Sequence, residues 1–211
     1  LSFKRLAYRV FDEMGRNDIR VLEETGKNLV LKKLARREEE HLTVLRPNMN
    51  RMGYVGEVKS FISELVQYNV TPQQLEAMAN RNDIPSVLAA KLKDIVVMYQ
   101  AFQDFMEGSY ITAEEILNVL KGVAAQSQLL QGSVIVFDEF TGFTPIQNEL
   151  LKELFLVAER ILIPLTIDRR EDFYHSRGSE ELFDMSKKTI SSLSRMASEL
   201  HVPVLEPVVL E

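Results

Sequence analysis

The sequence has no cysteine and no tryptophan among its 211 residues. Without cysteine the chain forms no disulfide, holds no metal through thiolates and ligates no iron–sulfur cluster, which fits a cytosolic setting. Its apolar runs are far shorter than a membrane span, and no signal-peptide pattern is visible at its start. These absences predict a cytoplasmic protein that has no membrane partner.

Positive charge is also in short supply. Lysine and arginine total 25 against 31 acidic residues, which gives a net charge of −6 and a pI near 5.3. Proteins that bind nucleic acid by electrostatics alone are usually basic. Any contact with DNA is therefore expected from a local patch or from a partner subunit. The basic residues of 29–41 precede three glutamates, a mixture typical of a solvated helix face.

Helical patterns fill the first part of the chain. Residues 2–14 carry apolar side chains at four-residue spacing, which predicts a helix. Residues 19–130 are predicted to be almost entirely helical, with capping boxes that begin at Thr71 and Thr112. Residues 86–107 form the longest helical pattern, and the glycines in 53–56 predict a break.

The last third of the chain changes character. Short runs rich in valine and isoleucine at 133–138 and 161–168 predict strands that are buried on both faces. Amphipathic helices are predicted at 144–160 and 184–201, and residues 202–211 predict a third extended piece at a sheet edge. Alternating strands and helices predict an α/β fold with a parallel sheet.

Acidic residues end both predicted strands. Asp138 and Glu139 close the first strand, and Asp168 closes the second. In phosphate-binding α/β proteins, acids at these ends face the ligand crevice, where one holds Mg²⁺ and another orients the attacking water. Three carboxylates there would suit a metal. The acids are equally explained as polar residues that end a strand, and their spacing leaves both interpretations open.

The chain lacks a phosphate loop. Its only Gly-Lys pair, Gly26-Lys27, is followed by Asn28, lacks the upstream glycine and lies in a helical pattern, so the match is attributed to chance. The three histidines have no metal-ligand spacing; they are His41, His175 and His201. The chain alone is therefore not predicted to be catalytic.

The opening helix carries a second candidate site. Phe3, Arg5 and Tyr8 lie near its start, with Lys4 and Arg9 around them. Aromatic rings stack on unpaired bases, and arginine pairs with phosphate or guanine. These residues predict a contact with single-stranded DNA. The alternative is that Phe3 belongs to the core and that the charges are solvated.

Five segments, in order along the chain, resemble the AddB (RexB) family, the B subunits of AddAB-type ATP-dependent helicase–nucleases of bacteria. They read LSFKRLAYRVFDEMG, YVGEVKSFISELVQYNVTPQQLE, VIVFDEFTGFTPIQNELL, ILIPLTID and ELFDMSKKTISSLSRMA. Together they cover most of the chain, and FDEFTGFTP is the most specific of them.

The resemblance implies a partial RecA-like sheet with a large helical insertion. Residues 1–18 and 131–211 would form the helicase-like core, and 19–130 the insertion. Leu210-Glu211 are interpreted as a possible tag remnant. For the full-length parent protein, the resemblance implies ATP with Mg²⁺, a 4Fe–4S cluster and an AddA-type partner subunit that carries helicase and nuclease activity. It also implies roles in DNA-end resection and recombinational repair.

The motor motifs are altered. Asp138 and Glu139 resemble a Walker B pair, and Asp138 would hold Mg²⁺ only in the full-length protein. Phe140, Thr141 and Gly142 follow them, where a working motor has polar coupling residues. Asp168 resembles the acid of motif III, with Ile167 in place of the usual glycine and Glu171 in place of the usual glutamine. The acids are therefore interpreted as vestigial.

The family implies that the domain holds the 3′-ended single strand and scans it for the Chi hotspot. Phe3, Arg5 and Tyr8 match the family's strand-contacting segment. Two alternatives stay open. One is an active ATPase that uses Asp138 and Glu139 with a phosphate loop upstream, and the other is a scaffold that only docks the motor subunit.

Overall fold

The structure, a computed structural model, describes residues 1–16, 18–107 and 109–209. The chain divides into two compact units. The terminal unit comprises Leu1–Gly15 and Leu117–Glu211, and the helical unit comprises Arg16–Ile116. The insertion predicted at 19–130 stays a prediction.

The helical unit is built from four helices and short connecting turns. The helices are α2 (Glu24–Arg37), α3 (Met52–Gln67), α4 (Pro72–Ala79) and α5 (Ser86–Met106). Short 3₁₀ turns follow α2 at Glu39–His41 and Arg46–Asn48. Leu34, Val55, Ile62 and Phe102 contribute to one buried apolar core that unites the helices.

Two capping boxes in this unit confirm the sequence prediction. The Thr71 backbone N–H donates to Gln74 Oε1 at 2.9 Å, and the Gln74 N–H donates to Thr71 Oγ1 at 3.2 Å. The same reciprocal pair joins Thr112 and Glu115, at 2.7 and 3.1 Å. Each box satisfies two N–H groups that a helix start would otherwise leave unpaired.

The predicted break at 53–56 is wrong. Helix α3 runs through both Gly53 and Gly56, and Val55 between them is fully buried. A helical glycine costs about 1 kcal/mol relative to alanine. Burial of Val55 and Val58 in the core offsets that cost.

The terminal unit is mixed α/β. It contains α1 (Phe3–Glu13), β1 (Val134–Val136), α7 (Pro145–Val157), β2 (Arg160–Leu162) and α8 (Asp184–Glu199). Helix α6 (Ile116–Val123) begins at the last residue of the helical unit. Strands β1 and β2 pair in parallel, with Ile135 opposite Ile161. The predicted mixture of helices with a parallel sheet is thus confirmed, although the sheet has two strands.

The strands are shorter than predicted because prolines interrupt them. Strand β2 ends at Leu162, two residues before Pro164, which has no N–H for a ladder bond. Residues 202–209, which contain Pro203 and Pro207, form no strand, so the predicted third strand is wrong for the residues that the structure describes. Leu210 and Glu211 lie outside the described residues. Within the described ranges, no helix is long and apolar enough to cross a membrane.

Candidate nucleic-acid interface

The start of α1 packs into a cluster of four phenylalanines, Phe3, Phe137, Phe140 and Phe143. The Phe3 ring lies 5.6 Å from that of Phe137 and 5.5 Å from that of Phe140. Phe140 and Phe143 stack with ring centroids 5.1 Å apart. Phe137 is buried and the other three are half-buried. This phenylalanine cluster joins the helix that carries the predicted DNA contacts to the loop that follows β1.

Helical geometry separates the three predicted DNA-binding residues into two groups. Positions 3 and 5 are roughly 160° apart around a helix, whereas positions 5 and 8 are about 60° apart. Phe3 therefore lies on the side of the phenylalanine cluster, and Arg5 and Tyr8 share the other side. Arg5 is exposed, and its backbone N–H donates to the Ser2 hydroxyl at 3.4 Å, which caps the helix.

Tyr8 has a defined aromatic and cationic environment. Its ring meets that of Phe11 edge to face, at 6.3 Å between centroids. The Lys4 ammonium lies 6.0 Å from the centroid of the Tyr8 ring, at the limit of a cation–π contact. Phe11 is buried, so the half-exposed Tyr8 ring rests on a fixed support. A ring held in this way loses little freedom when it stacks on a base.

Asp138 and Glu139 form an exposed turn directly after β1. Glu139 has a φ of 63°, a left-handed conformation that is uncommon outside glycine. Its backbone N–H donates to Asp138 Oδ1 at 3.1 Å. One carboxylate oxygen of Asp138 is thus engaged in the turn itself.

Asp168 binds a neighbour along the chain. Its carboxylate accepts from the Arg170 backbone N–H at 2.9 Å and from two guanidinium nitrogens, at 3.1 and 2.7 Å. The hydrogen bonds from the Arg170 side chain, and then from its backbone, lower the pKa of Asp168 to about 2. Among the described residues, no three histidine, aspartate or glutamate side chains come together to hold a metal ion. Asp138, Glu139 and Asp168 therefore form no such group.

Helix α8 holds the loop that contains two members of the phenylalanine cluster. The Thr189 hydroxyl donates to the Thr141 carbonyl at 2.8 Å. A Cβ at Gly142 would lie 3.4 Å from the same hydroxyl, a tight approach that favours glycine there. Sequence reasoning missed Thr189, Phe137, Phe140 and Phe143 as parts of the site. The three phenylalanines at three-residue spacing in FDEFTGF were the available signal.

Lys27 of the chance Gly-Lys pair has a structural role. It is 1% exposed, and its ammonium lies 2.8 Å from Glu114 and 2.9 Å from Glu24. Burial, the largest single effect, lowers the pKa of Lys27, but the hydrogen bonds from both carboxylates together outweigh it and the pKa rises. A lysine committed to these partners is not a phosphate-loop lysine.

Taken together, the fold and the site define a mixed α/β protein with an acidic turn after a parallel strand and an aromatic–basic helix beside it. The family model described as ADDB, N-terminal, matches residues 1–211. The chain belongs to this family, which confirms the predicted resemblance.

Several curated relatives are similar along much or nearly all of the chain, and each is named as the B subunit of an ATP-dependent helicase/deoxyribonuclease. The protein from Lachnoclostridium phytofermentans is 36% identical over 208 residues, 99% of this chain and 18% of the relative. That from Clostridium tetani is 37% identical over 169 residues, 78% of this chain and 14% of the relative. That from Clostridioides difficile is 30% identical over 208 residues, 99% of this chain and 18% of the relative. The chain thus spans less than a fifth of these relatives and has an AddB-type role.

Proposed function

We propose that this chain is the N-terminal, helicase-like part of the B subunit of a heterodimeric ATP-dependent helicase–nuclease that resects DNA ends for recombinational repair. Within that larger protein it holds the 3′-ended single strand and scans it for the Chi hotspot. The observation that carries the proposal is the exposed Arg5 beside the half-exposed Tyr8, on a helix anchored by Phe3 in the phenylalanine cluster.

The chemistry of α1 suits an unpaired strand. Phe3 and Tyr8 stack on bases, and Arg5 contacts a base edge or a phosphate. Each stacked base is worth about 1–3 kcal/mol. The rings of Phe3 and Tyr8 are held by neighbouring rings, so the interface is largely formed before the strand arrives.

Local charge supports this surface in spite of the net charge of −6. Lys4, Arg5 and Arg9 are exposed on α1, and its first turn has no acid. At the far end of the helix, Glu13 accepts hydrogen bonds from the Ser127 hydroxyl and the Leu129 N–H. The cations of α1 therefore act near the helix start, where the aromatic rings are.

Cofactors belong to the complete protein in this proposal. ATP with Mg²⁺ needs a phosphate loop, and Lys27 is committed to Glu114 and Glu24. Asp138 would be the residue of this chain that holds Mg²⁺, through the carboxylate that follows β1. Bound Mg²⁺ would neutralise phosphate charge. The chain has no cysteine, so a 4Fe–4S cluster would be held elsewhere in the full-length protein.

A RecA-like sheet and an AddA-type partner are also part of the proposal. Helix α7 lies between the parallel strands β1 and β2, as in a βαβ unit of a larger parallel sheet. The relatives are named as one lettered component of an enzyme, which is consistent with a second component. The helical unit would then be the insertion carried by the helicase-like core.

Replacing Phe3, Arg5 and Tyr8 together by alanine in the complete heterodimeric enzyme is expected to reduce hotspot recognition at least tenfold. Unwinding should change less than twofold, because the motor lies in the partner. The loss follows from two stacking contacts and one charged contact, each worth about 1–3 kcal/mol. Recognition is measured as the fraction of unwound strands that end at Chi.

The matched control is the triple alanine variant of Tyr68, Arg81 and Tyr110, two exposed tyrosines and an exposed arginine of the helical unit. It should leave hotspot recognition intact. Unchanged recognition in the α1 variant would refute the assignment. A parallel loss of unwinding and recognition would instead indicate a docking scaffold.

A further inference from the structure

A groove of about 190 Å³ opens beside α8 in the terminal unit. Helix α8 contributes Lys188, Ser191, Ser192 and Arg195, and the preceding segment contributes Tyr174 and Ser176. The four α8 residues recur at three- and four-residue spacing, so they form one stripe along the helix. The lining includes no acidic residue. A groove with two cations and several hydroxyls is a concave surface for an anion.

The cations of the groove are available to a ligand. The side chains of Lys188 and Arg195 are 63% and 75% exposed. Lys188 lies 2.8 Å from Asp184, and Arg195 lies 4.0 Å from Glu199. Exposed ion pairs of this kind contribute about 0–1 kcal/mol. Exchanging a carboxylate for a phosphate at these cations therefore costs little.

The wall opposite α8 is fixed by a buried ion-pair network. Lys187, which is 1% exposed, bonds to Glu171 and Glu181, and these hydrogen bonds raise its pKa. The Ser176 hydroxyl donates to Asp184, and the Gly178 N–H donates to Ser176. The segment that carries Tyr174 and Ser176 is thus tied to α8. A fixed wall keeps the groove open before any ligand binds.

We propose that this groove binds one backbone phosphate of a nucleic-acid strand. Lys188 and Arg195 pair with the phosphate, the hydroxyls of Ser191 and Ser192 donate to its oxygens, and the partly exposed Tyr174 packs against the adjoining sugar or base. At about 190 Å³ the groove is smaller than the roughly 300–1,000 Å³ of small-molecule pockets, which favours a single group of a longer chain over a whole nucleotide. The inference rests on the proposed function and adds a second strand contact to that of α1.

The test measures binding of the 211-residue chain to a fluorescein-labelled oligothymidine and to an abasic strand of equal length, by anisotropy at several salt concentrations. R195Q should reduce affinity several-fold at low salt. It should also reduce the slope of log K against log salt by about 0.7, the value for one phosphate contact in a single strand. K188Q/R195Q should reduce affinity about tenfold. Both losses should persist on the abasic strand, because the groove contacts phosphate.

The matched control is K152Q. Lys152 is a half-exposed lysine of α7 that pairs with Glu149 at 2.7 Å, as Lys188 pairs with Asp184. It should bind like the wild type. S192E, which adds a negative charge to the groove without breaking an ion pair, should weaken binding as R195Q does and covers the case in which the double variant does not fold.

Three outcomes would overturn the inference. The first is an unchanged salt slope in both R195Q and S192E. The second is a loss confined to the strand that carries bases, and the third is competition by inorganic phosphate or thymidine monophosphate at the strand's own concentration, which would assign the groove to a free nucleotide. An α1 triple variant that binds normally while R195Q does not would instead count against the proposed α1 site alone.

Discussion

Replacing Asp94 by alanine is expected to lower the free energy of unfolding of the helical unit by about 3–4 kcal/mol. Asp94 is 2% exposed on α5, and it accepts hydrogen bonds from the backbone N–H groups of Thr43, Val44 and Leu45 at 2.7–2.9 Å. The Thr43 hydroxyl donates to its other oxygen at 3.1 Å. Each buried donor left without an acceptor costs about 1–3 kcal/mol.

The matched control is Asp104→Ala on the same helix. Asp104 is exposed and accepts from Gln100, at 2.8 Å. Its loss should change the free energy of unfolding by less than about 0.5 kcal/mol. Asp94→Asn, which keeps one acceptor oxygen for the three N–H groups, should cost less than half as much as Asp94→Ala. Urea unfolding followed by circular dichroism measures all three, and equal costs for the two alanine variants would contradict this role of Asp94.

Lys27→Ala is the second large effect, with an expected loss of about 3–5 kcal/mol, because removing one member of a buried ion pair leaves the other charge uncompensated. Here Glu114, whose side chain is 12% exposed, would lose its cation, and α2 would lose its link to the segment before α6. Lys33→Ala, an exposed lysine on the same helix, is the matched control and should cost less than about 0.5 kcal/mol.

Two further measurements separate the ion pair from simple packing. Lys27→Met combined with Glu114→Gln removes both charges and should be less destabilising than Lys27→Met alone. The pKa of Lys27 is raised above the ordinary 10.5, so its stabilisation is complete below that pH and is lost as the pH rises through the folded-state pKa. The pKa of Glu24 is lowered from 4.5, mainly by hydrogen bonds from Lys59 and Lys27, so its share is lost only as the pH falls below 4.5.

The free-energy difference between wild type and Lys27→Met should therefore stay constant from about pH 5 to 9 and narrow at both extremes. A difference that varies strongly near neutral pH would mean that other titrating groups dominate. Urea unfolding at a series of pH values gives this profile.

Local sequence signals predicted the regular elements well. Capping boxes at Thr71 and Thr112 and the apolar spacing of 2–14 are encoded within a few residues, and the structure confirms all three. Strand ends were predicted less well, because Pro164 and Pro203 decide where backbone pairing stops. The break expected at Gly53 failed because tertiary burial of Val55 overrides glycine propensity.

Long-range polar contacts escaped prediction for a physical reason. Asp94 and Thr43 are 51 residues apart, and Lys27 and Glu114 are 87 apart, so no local pattern links them. The phenylalanine cluster likewise joins Phe3 to a loop far along the chain. Of the candidate site, the sequence identified Phe3, Arg5 and Tyr8, and the family resemblance supplied their proposed role. The packing that divides them between two sides of α1 required the structure.

The central claim, that α1 contacts a single strand, is tested most directly by photo-crosslinking. The chain is irradiated with a bromouracil-containing single strand, and the crosslinked peptides are identified by mass spectrometry. Aromatic rings stacked on bases lie in contact with them, so Phe3 and Tyr8 are the expected attachment points. The account predicts crosslinks within residues 1–9 that are competed by unlabelled single strand. Crosslinks confined to residues 16–116 would contradict it.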